Sequence, residues 1–411
     1  MNKILNIARK NILNTNMLLS KNPDRILKNF WPAYFSKAKG YYVWDYNNTK
    51  YLDMLFAVGQ SNLGYSNNII DTKVIKEIKN GNMCSLNSPF EVELSKKILK
   101  IHKWANFVKF AKSGGETNAI AVRIARANTK KKNIAICGYH GWHDWFMAAN
   151  LSSKKNLDNH LFKNLIPVGI HPNLKNTVFP FKYNNLEGLK ILVKKNNIGI
   201  IQMEVKRFEE PKDDFLQKIR SFCNKKRIIL IFDECTSGFR ENYGGLHLKY
   251  KVNPDIVTYG KAIGNGYPIT AVLCTKKLRK KAEKCFISST FWTEKSGSVA
   301  ALETLKLMKK LQSWKRIKKN GKKIKNFWAV MAKKYFLPLK IYGLDSIPIF
   351  DFLSYKKDMF KEYFIKEMLK KKILATNMIY VSWVHDEIAI SKYFKAFEYV
   401  FKKLSKKKQQ L

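Results

Sequence analysis

The sequence predicts an α/β protein with a mainly parallel β-sheet covered by helices on both faces, joined to a smaller α+β domain. Two observations predict this fold class. Between about residues 90 and 290, short apolar runs alternate with helical patterns, as they do in βαβ units. Beyond about residue 300, long Lys-rich helical stretches are interrupted only by short strand patterns. A chain of 411 residues therefore divides into an N-terminal segment that packs with the small domain (1–60), a large domain (61–295) and a C-terminal small domain (296–411).

The expected elements follow the chain in order. A helical N-terminus leads to a hairpin around Asn47 and Asn48, where apolar and polar residues alternate. Amphipathic helices are expected from Glu116 to Arg126 and over 212–224. Short strands are expected near 348–352 and 378–382 in the C-terminal part. Apolar runs bounded by charged or turn-forming residues are the expected strands of the large sheet: 106–111, 133–137, 198–203, 228–232, 255–258 and 270–274.

The formal net charge of +46 raises the question of nucleic-acid binding. Arg supplies only 10 of the 77 basic residues, and Asn, Ile, Phe and Tyr are also frequent, a composition typical of an AT-rich coding bias. The basic residues are spread along the chain and form no single stripe. We therefore expect no specific nucleic-acid partner, although so cationic a surface favours anionic ligands.

The cysteines and the apolar stretches indicate a compartment. Six cysteines show no paired spacing, and several lie within apolar runs, which favours buried thiols in a reducing environment. No stretch approaches the roughly 18 apolar residues of a membrane span. The basic, amphipathic N-terminus lacks the apolar core of a signal peptide, so we expect it to pack as a helix. These features predict a cytoplasmic protein with no membrane partner.

Lys261 follows an expected strand and lies between glycines, in Gly-Lys261-Ala-Ile-Gly-Asn-Gly. The apolar run over 228–232 ends in Asp233 and Glu234, and carboxylates at the end of a buried strand are costly unless something there uses them. Ligands of open parallel sheets bind beyond the carboxyl ends of the strands. A lysine, a carboxylate and a glycine-rich turn together suit pyridoxal phosphate (PLP), which needs a Schiff-base lysine, an acid partner for its ring nitrogen and a phosphate cradle.

Two further segments lie at expected strand ends, and each has a structural alternative. Ser113-Gly114-Gly115 precedes a helix, whose free N–H groups and dipole bind phosphate, although an ordinary capped turn has the same pattern. Glu204 ends another apolar strand with Arg207 three residues on, a spacing that equally suits a structural salt bridge.

Aromatic and polar residues follow the strand over 133–137. Tyr139 has the position of a side chain that stacks on a heteroaromatic ring, with packing in a turn as the alternative. His140, His143 and Asp144 are metal-ligating residue types, but the sequence offers no convincing further ligand and the spacing is not a recognised metal pattern. No metal site is expected.

Taken in order, these segments resemble the class III PLP-dependent aminotransferases, specifically the branch that contains glutamate-1-semialdehyde aminomutase. The resemblance runs from about residue 32 to 400 and implies the PLP-dependent transferase fold type I with PLP as cofactor. It rests on Lys37-Ala-Lys-Gly-Tyr-Tyr-Val-Trp-Asp, Glu91-Val-Glu-Leu, Ser113-Gly-Gly-Glu, Tyr139-His-Gly, Asp233-Glu-Cys-Thr-Ser-Gly-Phe-Arg, Gly260-Lys-Ala-Ile-Gly-Asn-Gly and Ser289-Thr-Phe-Trp-Thr-Glu.

The resemblance implies roles around the cofactor ring. Lys261 would form the Schiff base with PLP and then move the substrate's α-proton, with a pKa lowered by burial and by the cationic ring. Asp233 would pair with the pyridine nitrogen and keep it protonated. Tyr139 would stack on one face, and Cys235, where the family often has Val, would pack on the other. His140 is assigned to the same cofactor site.

The resemblance also implies how the phosphate is held. Gly114 and Gly115 would donate backbone N–H groups, and Ser113 belongs to the same turn. Thr290 of the partner subunit would add a hydroxyl, with Thr293 as the competing candidate. A homodimer is therefore implied.

Departures from the family pattern lie beside the expected substrate. Glu204 matches a family Glu-Pro position, but Val205 stands where Pro is usual, and 206–211 replaces a Gly-rich stretch. Gly115 stands where the aminomutases have a hydroxyl residue. These differences predict unchanged cofactor chemistry with altered specificity.

The arginines constrain the substrate. No Arg follows Arg316, so a bidentate Arg clamp for a substrate carboxylate cannot come from the C-terminal part of the chain. Arg240 is expected to brace the loop after Asp233, which leaves Arg207, together with Glu204, as the expected substrate-binding pair. The acceptor is then not a standard α-keto diacid, and an anionic sugar or a semialdehyde is a candidate.

The sequence thus predicts an aminotransferase that moves nitrogen from a donor to a carbonyl acceptor in a ping-pong cycle. Glutamate-1-semialdehyde 2,1-aminomutase, in which both transfers occur on one carbon skeleton, remains the alternative, since it shares every cofactor residue. A non-catalytic basic binding protein on the same fold is the remote alternative. The intact Lys261, Asp233 and Gly-Gly turn argue against it.

Overall fold

The computed structural model describes residues 3–160 and 163–407. The strands are β1 (Phe35–Lys39), β2 (Tyr42–Asp45), β3 (Lys50–Asp53), β4 (Phe107–Ala111), β5 (Asn133–Cys137), β6 (Val178–Pro180), β7 (Ile198–Glu204), β8 (Ile229–Asp233), β9 (Ile256–Tyr259), β10 (Thr270–Cys274), β11 (Leu339–Leu344), β12 (Ile347–Phe352) and β13 (Ile373–Leu374).

Helices connect most of these strands. The α-helices are α1 (Lys3–Asn11), α2 (Pro23–Leu27), α3 (Phe56–Gly59), α4 (Asn68–Lys79), α5 (Pro89–Ile101), α6 (Gly114–Asn128), α7 (Asp144–Met147), α8 (Ala149–Ser152), α9 (Leu186–Lys195), α10 (Phe215–Lys226), α11 (Leu246–Lys249), α12 (Arg279–Ala282), α13 (Lys295–Leu311), α14 (Ser313–Lys334), α15 (Lys357–Lys370) and α16 (Glu387–Lys407). Short 3-10 turns cover Leu13–Thr15, Leu19–Lys21, Pro172–Leu174, Lys261–Ile263, Lys276–Leu278 and Thr290–Thr293.

The chain divides into two compact units. The smaller unit comprises Met1–Asn68 and Lys315–Leu411, and the larger unit comprises Ile69–Trp314. These bounds lie eight and nineteen residues beyond the divisions expected at 60 and 295, and the domain assignment made from the sequence stays a prediction. Among the described residues, no helix is both long and apolar enough to cross a bilayer.

The larger unit contains a seven-stranded sheet in the order β4-β10-β9-β8-β7-β5-β6. The strands from β9 to β6 pair in parallel, whereas β10 is antiparallel to both of its neighbours. The predicted α/β fold class with a mainly parallel sheet is therefore confirmed. Each of the six expected strands is present to within one residue at either end, and β6 was not predicted because three residues carry too short a pattern.

The core of this sheet follows from its apolar runs. Every residue of β7 and β8 is buried, as expected for strands covered on both faces. Helix α6 covers the sheet with the face that its spacing predicted, on which Ile120 and Ile124 are buried. Helix α10 begins at Phe215, three residues later than expected, because Asp213 and Asp214 have positive φ values of 48° and 54° and cannot continue a helix.

The smaller unit contains a sheet of order β1-β2-β3-β13 and the β11–β12 hairpin. The hairpin expected around Asn47 and Asn48 is confirmed, since β2 and β3 pair antiparallel and Asn48 turns the chain with φ of 60°. The unit's core is rich in aromatic side chains, including the fully buried Trp328 and Phe350.

The strand expected over 378–382 is absent as a regular element, so that prediction was wrong. The segment is extended, but its N–H groups alternate between two partners. The N–H groups of Ile379 and Val381 donate to the carbonyls of Pro348 and Ser346, whereas that of Tyr380 donates to Met54. Because no continuous ladder with one neighbour forms, a single bridge to Ile349 remains.

Parallel pairing places several polar strand ends in one row. Glu204 lies opposite Asp233 in the β7–β8 register, and Asp233 lies opposite Thr258 in the β8–β9 register. Cys137, the last residue of β5, lies opposite Met203. The carboxyl edge of the sheet therefore carries the residues that the sequence singled out.

Candidate active site

Lys261 lies two residues after β9, at the start of a 3-10 turn, and its φ of 44° places it in the left-handed region. A non-glycine residue adopts this conformation at a cost, and such residues cluster at functional sites. Its Nζ donates to Oγ1 of Thr236 at 2.8 Å. Burial and the positive charges of Arg207 and Arg240 lower the pKa of Lys261 from 10.5 to about 8. A substantial part of this amine is therefore neutral near physiological pH.

Asp233 ends β8 and is buried among hydrogen-bond donors. His140 Nδ1 lies 2.8 Å from Oδ2, and Oδ1 accepts the backbone N–H of Cys235 at 2.9 Å. Burial alone would raise the pKa of Asp233, but hydrogen bonds from His140, Cys235 and Asn118 outweigh it and hold that pKa below its ordinary value. Since the carboxylate is ionised, Nδ1 of His140 carries the proton of the bond they share. An anion is thus maintained at the carboxyl edge of the sheet.

Sequence reasoning missed the polar residues that surround this carboxylate. Asn118, on α6, donates to Asp233 Oδ2 at 2.7 Å and accepts from Nε2 of Gln202 at 2.9 Å. Thr258 Oγ1 lies 3.0 Å from Asn118 Oδ1 and 3.3 Å from Asp233 Oδ1. One signal was available: Gln202 is a polar residue inside an apolar strand, and buried polar groups require partners.

The Ser113-Gly114-Gly115 turn joins β4 to α6. Glu116 reaches back to accept the N–H of Ser113 at 2.9 Å, so that N–H is already engaged. A Cβ at Gly115 would lie 2.7 Å from Cε1 of His143, and one at Gly114 would lie 3.7 Å from Sγ of Cys235. A side chain at Gly115 would therefore require the His143 ring to move, whereas the space beside Gly114 would admit a Cβ at ordinary contact distance.

Tyr139 and Glu204 meet beyond β5 and β7. The N–H of Tyr139 lies 3.4 Å from Oε2 of Glu204, and the half-buried ring packs edge-on against Phe146 with centroids 5.8 Å apart. Gly138, with φ of 115°, brings the backbone against the Glu204 carboxylate, where a Cβ would lie 2.5 Å from Oε2. The close approach of Gly138 to Glu204 and the contact of the Tyr139 N–H therefore fix the positions of Tyr139 and Glu204 relative to each other.

The two arginines expected near the site differ in their contacts. Nη1 of Arg207 lies 3.3 Å from Oε1 of Glu204, so the salt bridge suggested by their spacing is present. Nε of Arg240 donates to the carbonyl of Thr236 at 2.7 Å, and the side chain is almost wholly buried. Arg240 thus braces the loop that also supplies the hydroxyl bonded to Lys261.

Cys235 and Thr290 differ in their surroundings. Sγ of Cys235 would be 3.5 Å from a Cβ on Gly260, the residue before Lys261, so the thiol lies between that glycine and Gly114. Burial, with the charge of Asp233, raises its pKa well above the ordinary value. Thr290 is exposed in the 3-10 turn, and its carbonyl accepts from Thr293 Oγ1 at 2.9 Å. Within this chain, no hydrogen bond among the described residues joins Thr290 to the Gly-Gly turn.

The two histidines considered as metal ligands have different contacts. His140 is directed at Asp233, whereas His143 packs against Trp142 with ring centroids 4.6 Å apart. Over residues 3–160 and 163–407, no group of three or more His, Cys, Asp or Glu side chains is placed to hold a metal ion.

This arrangement of a strand-end lysine, a buried carboxylate and a glycine turn coincides with a family match. Residues 27–374 match the model of the class III aminotransferases. The chain belongs to the class III aminotransferase family. It is thus an enzyme of the PLP-dependent aminotransferase and aminomutase class, and PLP is its cofactor, as the resemblance implied.

Curated relatives include both reaction types. The 3-aminobutyryl-CoA aminotransferase of Cloacimonas acidaminovorans is 31% identical over 348 residues, which cover 82% of this chain and 79% of that protein. The glutamate-1-semialdehyde 2,1-aminomutase of Sulfolobus acidocaldarius is 31% identical over 297 residues, which cover 70% of each chain.

Solved structures share the fold. The FumI protein of Sphingopyxis sp. MTA144, in its PLP internal aldimine form, superposes with a TM-score of 0.89 at 22% identity, over 99% of this chain and 97% of that one. An ω-transaminase from Sphaerobacter thermophilus gives a TM-score of 0.85 at 20% identity, over 97% and 96%. The expected PLP-dependent transferase fold type I is confirmed.

The described residues fit PLP chemically. The cofactor carries a cationic ring nitrogen, an aldehyde and a phosphate, and the site offers a buried anion, a lysine of lowered pKa and a helix N-terminus that begins with two glycines.

Proposed function

We propose that this enzyme transfers an amino group from a donor to a carbonyl acceptor in two half-reactions of a ping-pong cycle. One observation carries the proposal: Lys261, with a pKa near 8, follows β9, while the ionised Asp233 ends the neighbouring strand β8. These two groups supply the base and the fixed anion that amino transfer through PLP requires.

Lys261 is proposed as the residue that holds the cofactor and moves the proton at the substrate's α-carbon. A lysine with an ordinary pKa of 10.5 would be protonated at neutral pH and could not accept that proton. Burial and the two nearby guanidinium groups place its pKa close to the working pH, where a general base is most effective. The hydroxyl of Thr236, 2.8 Å from Nζ, orients the amine.

Asp233 is proposed to hold the ring nitrogen of the cofactor protonated. PLP, when bound, draws electrons from the carbon that carries the transferred nitrogen, and a protonated ring does so best. Asn118 and His140 both donate to Oδ2, while Oδ1 accepts the N–H of Cys235 at 2.9 Å and lies 3.3 Å from Oγ1 of Thr258. The network keeps the carboxylate both ionised and immobile.

The remaining contacts to the cofactor are proposed from the same geometry and the family pattern. Tyr139 and Cys235 are proposed to cover the two faces of the ring. The turn over Ser113, Gly114 and Gly115 is proposed to bind the phosphate. Thr290 of the partner subunit is proposed to complete the phosphate site in a homodimer. Its exposure in a single chain is compatible with that role.

Substrate contact is proposed for the Glu204–Arg207 pair. Arg207 is half-buried, contacts Glu204 and influences the charge of Lys261. An anionic substrate group that approaches Arg207 would compete with Glu204 for the guanidinium. Selection of an anionic substrate is thereby coupled to the charge environment of Lys261.

The alternative is intramolecular transfer on glutamate-1-semialdehyde. Several relatives carry the aminomutase name, among them the Sulfolobus acidocaldarius protein. The unusual segment over 205–211, which follows Glu204, favours transfer between two molecules. Incubation with glutamate-1-semialdehyde alone distinguishes the two, because an aminomutase yields product without consuming an external donor.

The decisive experiment follows cofactor attachment. The protein reconstituted with PLP is treated with borohydride and digested, and the modified peptide is located by mass spectrometry. Modification is expected at Lys261, with loss of the visible absorbance in Lys261→Ala but not in the exposed control Lys276→Ala. Attachment at another lysine, or unchanged absorbance in Lys261→Ala, would contradict the proposal.

A further inference from the structure

A cavity of about 580 Å³ lies within the larger unit beside the site just described. Its lining includes Cys137, Gly138, Pro180 and Glu204, which stand at the carboxyl ends of β5, β6 and β7. These three strands are adjacent in the order β7-β5-β6. The cavity therefore runs along the carboxyl edge of the sheet, from the proposed cofactor site toward the outer strand β6.

The strand order sets how far this cavity reaches. Glu204 is paired with Asp233 on the next strand, and β6 lies three strand intervals from β8. At about 4.8 Å per interval, the far wall is roughly 14 Å from the Asp233 strand. A molecule that reacts at Lys261 and also fills the cavity must therefore be extended. A small keto acid is too short to do both.

The cavity is lined by more cations than free carboxylates. Lys155, Lys182 and Arg207 line it, against Glu204 and Glu209. Glu204 is neutralised by Arg207 at 3.3 Å, and Glu209 is exposed and accepts a long hydrogen bond from Asn184. No ion pair engages Lys155 or Lys182 within the part of the chain that the structure describes. Two ammonium groups are thus available to an anion.

His160 adds a neutral donor to the same lining. Its Nδ1 accepts the N–H of Gly138 at 2.9 Å, so the ring proton resides on Nε2. Burial, with the charge of His140, lowers the pKa of His160 to about 4, and the ring is neutral near pH 7. An N–H donor in a wall that also carries ammonium groups suits phosphate oxygens.

Aromatic side chains form the apolar part of the wall. Phe181 is buried. Tyr183 is half-buried, and its hydroxyl donates to the carbonyl of Val205. The ring centroid of Phe208 lies 5.0 Å from Cζ of Arg207. Flat apolar faces beside cations suit a molecule that combines phosphate with a ring.

We infer that this cavity binds the phosphate-bearing end of an extended substrate whose amino or carbonyl carbon reacts at Lys261. The inference rests on the proposed function. The phosphate belongs either to a simple phosphate ester or to a nucleoside diphosphate, and the shared chemistry is a phosphate dianion held by Lys155, Lys182 and the Nε2–H of His160. Arg207 links this subsite to the reacting centre through Glu204.

The test measures binding to the PLP-loaded enzyme by titration calorimetry, with uridine 5′-diphosphate, pyrophosphate and uridine as probes. We expect both phosphate probes to bind and uridine not to bind. The variant K155Q/K182Q should weaken the phosphate probes about tenfold or more. The matched control K154Q/K194Q removes the same charge from lysines that are equally exposed but do not line the cavity, and it should change binding by less than about twofold, since charges without direct contact to the probe are screened.

The probes also separate the two phosphate sources. If uridine 5′-diphosphate binds much more tightly than pyrophosphate, the substrate carries a nucleotide end that is held against the aromatic wall. If the two probes bind equally, the substrate is a simple phosphate ester. Either result supports the subsite. Failure of both probes to bind, or equal weakening in the two double variants, overturns it.

The proposed function is judged separately in the same samples. The visible absorbance of bound cofactor, and its change on adding an amino donor, report whether amino transfer begins at Lys261. An intact donor response without phosphate binding rejects the subsite alone. Phosphate binding that depends on Lys155 and Lys182, without any donor response, rejects the proposed function alone.

Discussion

Asn118 donates from Nδ2 to Oδ2 of Asp233 across 2.7 Å, and both side chains are almost wholly buried. The bond connects the helix that starts at the Gly-Gly turn with the strand that ends at the carboxylate. The same amide accepts from Gln202, so one side chain links α6, β7 and β8. The proposed phosphate and ring-nitrogen sites therefore share a single polar support.

Asn118→Ala is expected to destabilise the protein by about 1–3 kcal/mol, because it removes the acceptor of the buried Nε2 of Gln202 and one of the donors to the buried Asp233 carboxylate. The free energy of unfolding is measured by urea denaturation at neutral pH without cofactor. The exposed Asn224→Ala on α10 is the matched control, with an expected change within about 0.5 kcal/mol. Equal effects of the two substitutions would refute a structural role for the Asn118 amide.

The pKa of Lys261 predicts the pH dependence of cofactor attachment. A neutral amine is needed to attack the PLP aldehyde, so the rate of reconstitution should rise with pH around a midpoint near 8 and not near 10.5. Arg207→Gln removes a positive charge that opposes the ammonium form of Lys261. The midpoint of the pH profile of this variant is therefore expected to move to higher pH. Stopped-flow absorbance measures both profiles, and an unchanged midpoint in Arg207→Gln would show that this charge does not reach Lys261.

Gly115→Ala tests the close approach at the start of α6. The added Cβ would lie 2.7 Å from Cε1 of His143, so the imidazole must move and the unfolding free energy should fall by about 1–3 kcal/mol. Gly115→Ala/His143→Ala removes the obstructing ring and should recover most of that loss. Thermal denaturation of the cofactor-free proteins compares them. A double variant no more stable than Gly115→Ala would place the strain elsewhere.

Glu234 predicts part of the acid sensitivity of the fold. It accepts from Ser237, from the N–H groups of Leu246 and His247, and from Nδ1 of His247. Burial alone would raise the pKa of Glu234, but the hydrogen bonds from His247 and from the backbone of Leu246 outweigh it and hold that pKa below its ordinary value of 4.5. The resulting stability is complete above about pH 4.5 and is lost as pH falls through the lowered pKa.

Glu234→Gln removes this titration and turns an N–H group toward existing donors. We expect a loss of about 2–3 kcal/mol at pH 7 and a smaller further loss on acidification than in the original protein. Unfolding free energies between pH 7 and pH 3 test this expectation. Parallel pH profiles for the two proteins would show that Glu234 does not titrate during acid unfolding.

Much of the larger unit was predictable because its signals are local. Apolar runs such as 198–203 are too short and too β-branched for helices, and alternation with amphipathic stretches implies parallel pairing. The strand over 378–382 failed for the opposite reason. Its extended shape was local, but its pairing depended on which segments lay on either side.

The same difference between local signals and contacts of distant segments applies to the candidate site. Lys261, Asp233 and the Gly-Gly turn could be proposed as site residues from the sequence because strand ends in a parallel sheet share one edge. Asn118 and Thr258 were missed because neither type nor spacing shows which carboxylate a side chain will meet. The sequence left the role of His140 open between a metal-ligating residue type and a part of the cofactor site. Its bond to Asp233 depends on how β5 and β8 are ordered across the sheet.

The sequence by itself determined the fold class and the strand ends, and it singled out the proposed lysine, carboxylate and glycines, because periodicity and strand boundaries are properties of neighbouring residues. Only the tertiary structure decided that three donors converge on Asp233, that Thr236 meets Lys261, and that Lys155 and Lys182 face one cavity. Hydrogen bonds and charge clusters act over a few ångströms between residues distant along the chain, and only the folded sheet brings such residues within that range.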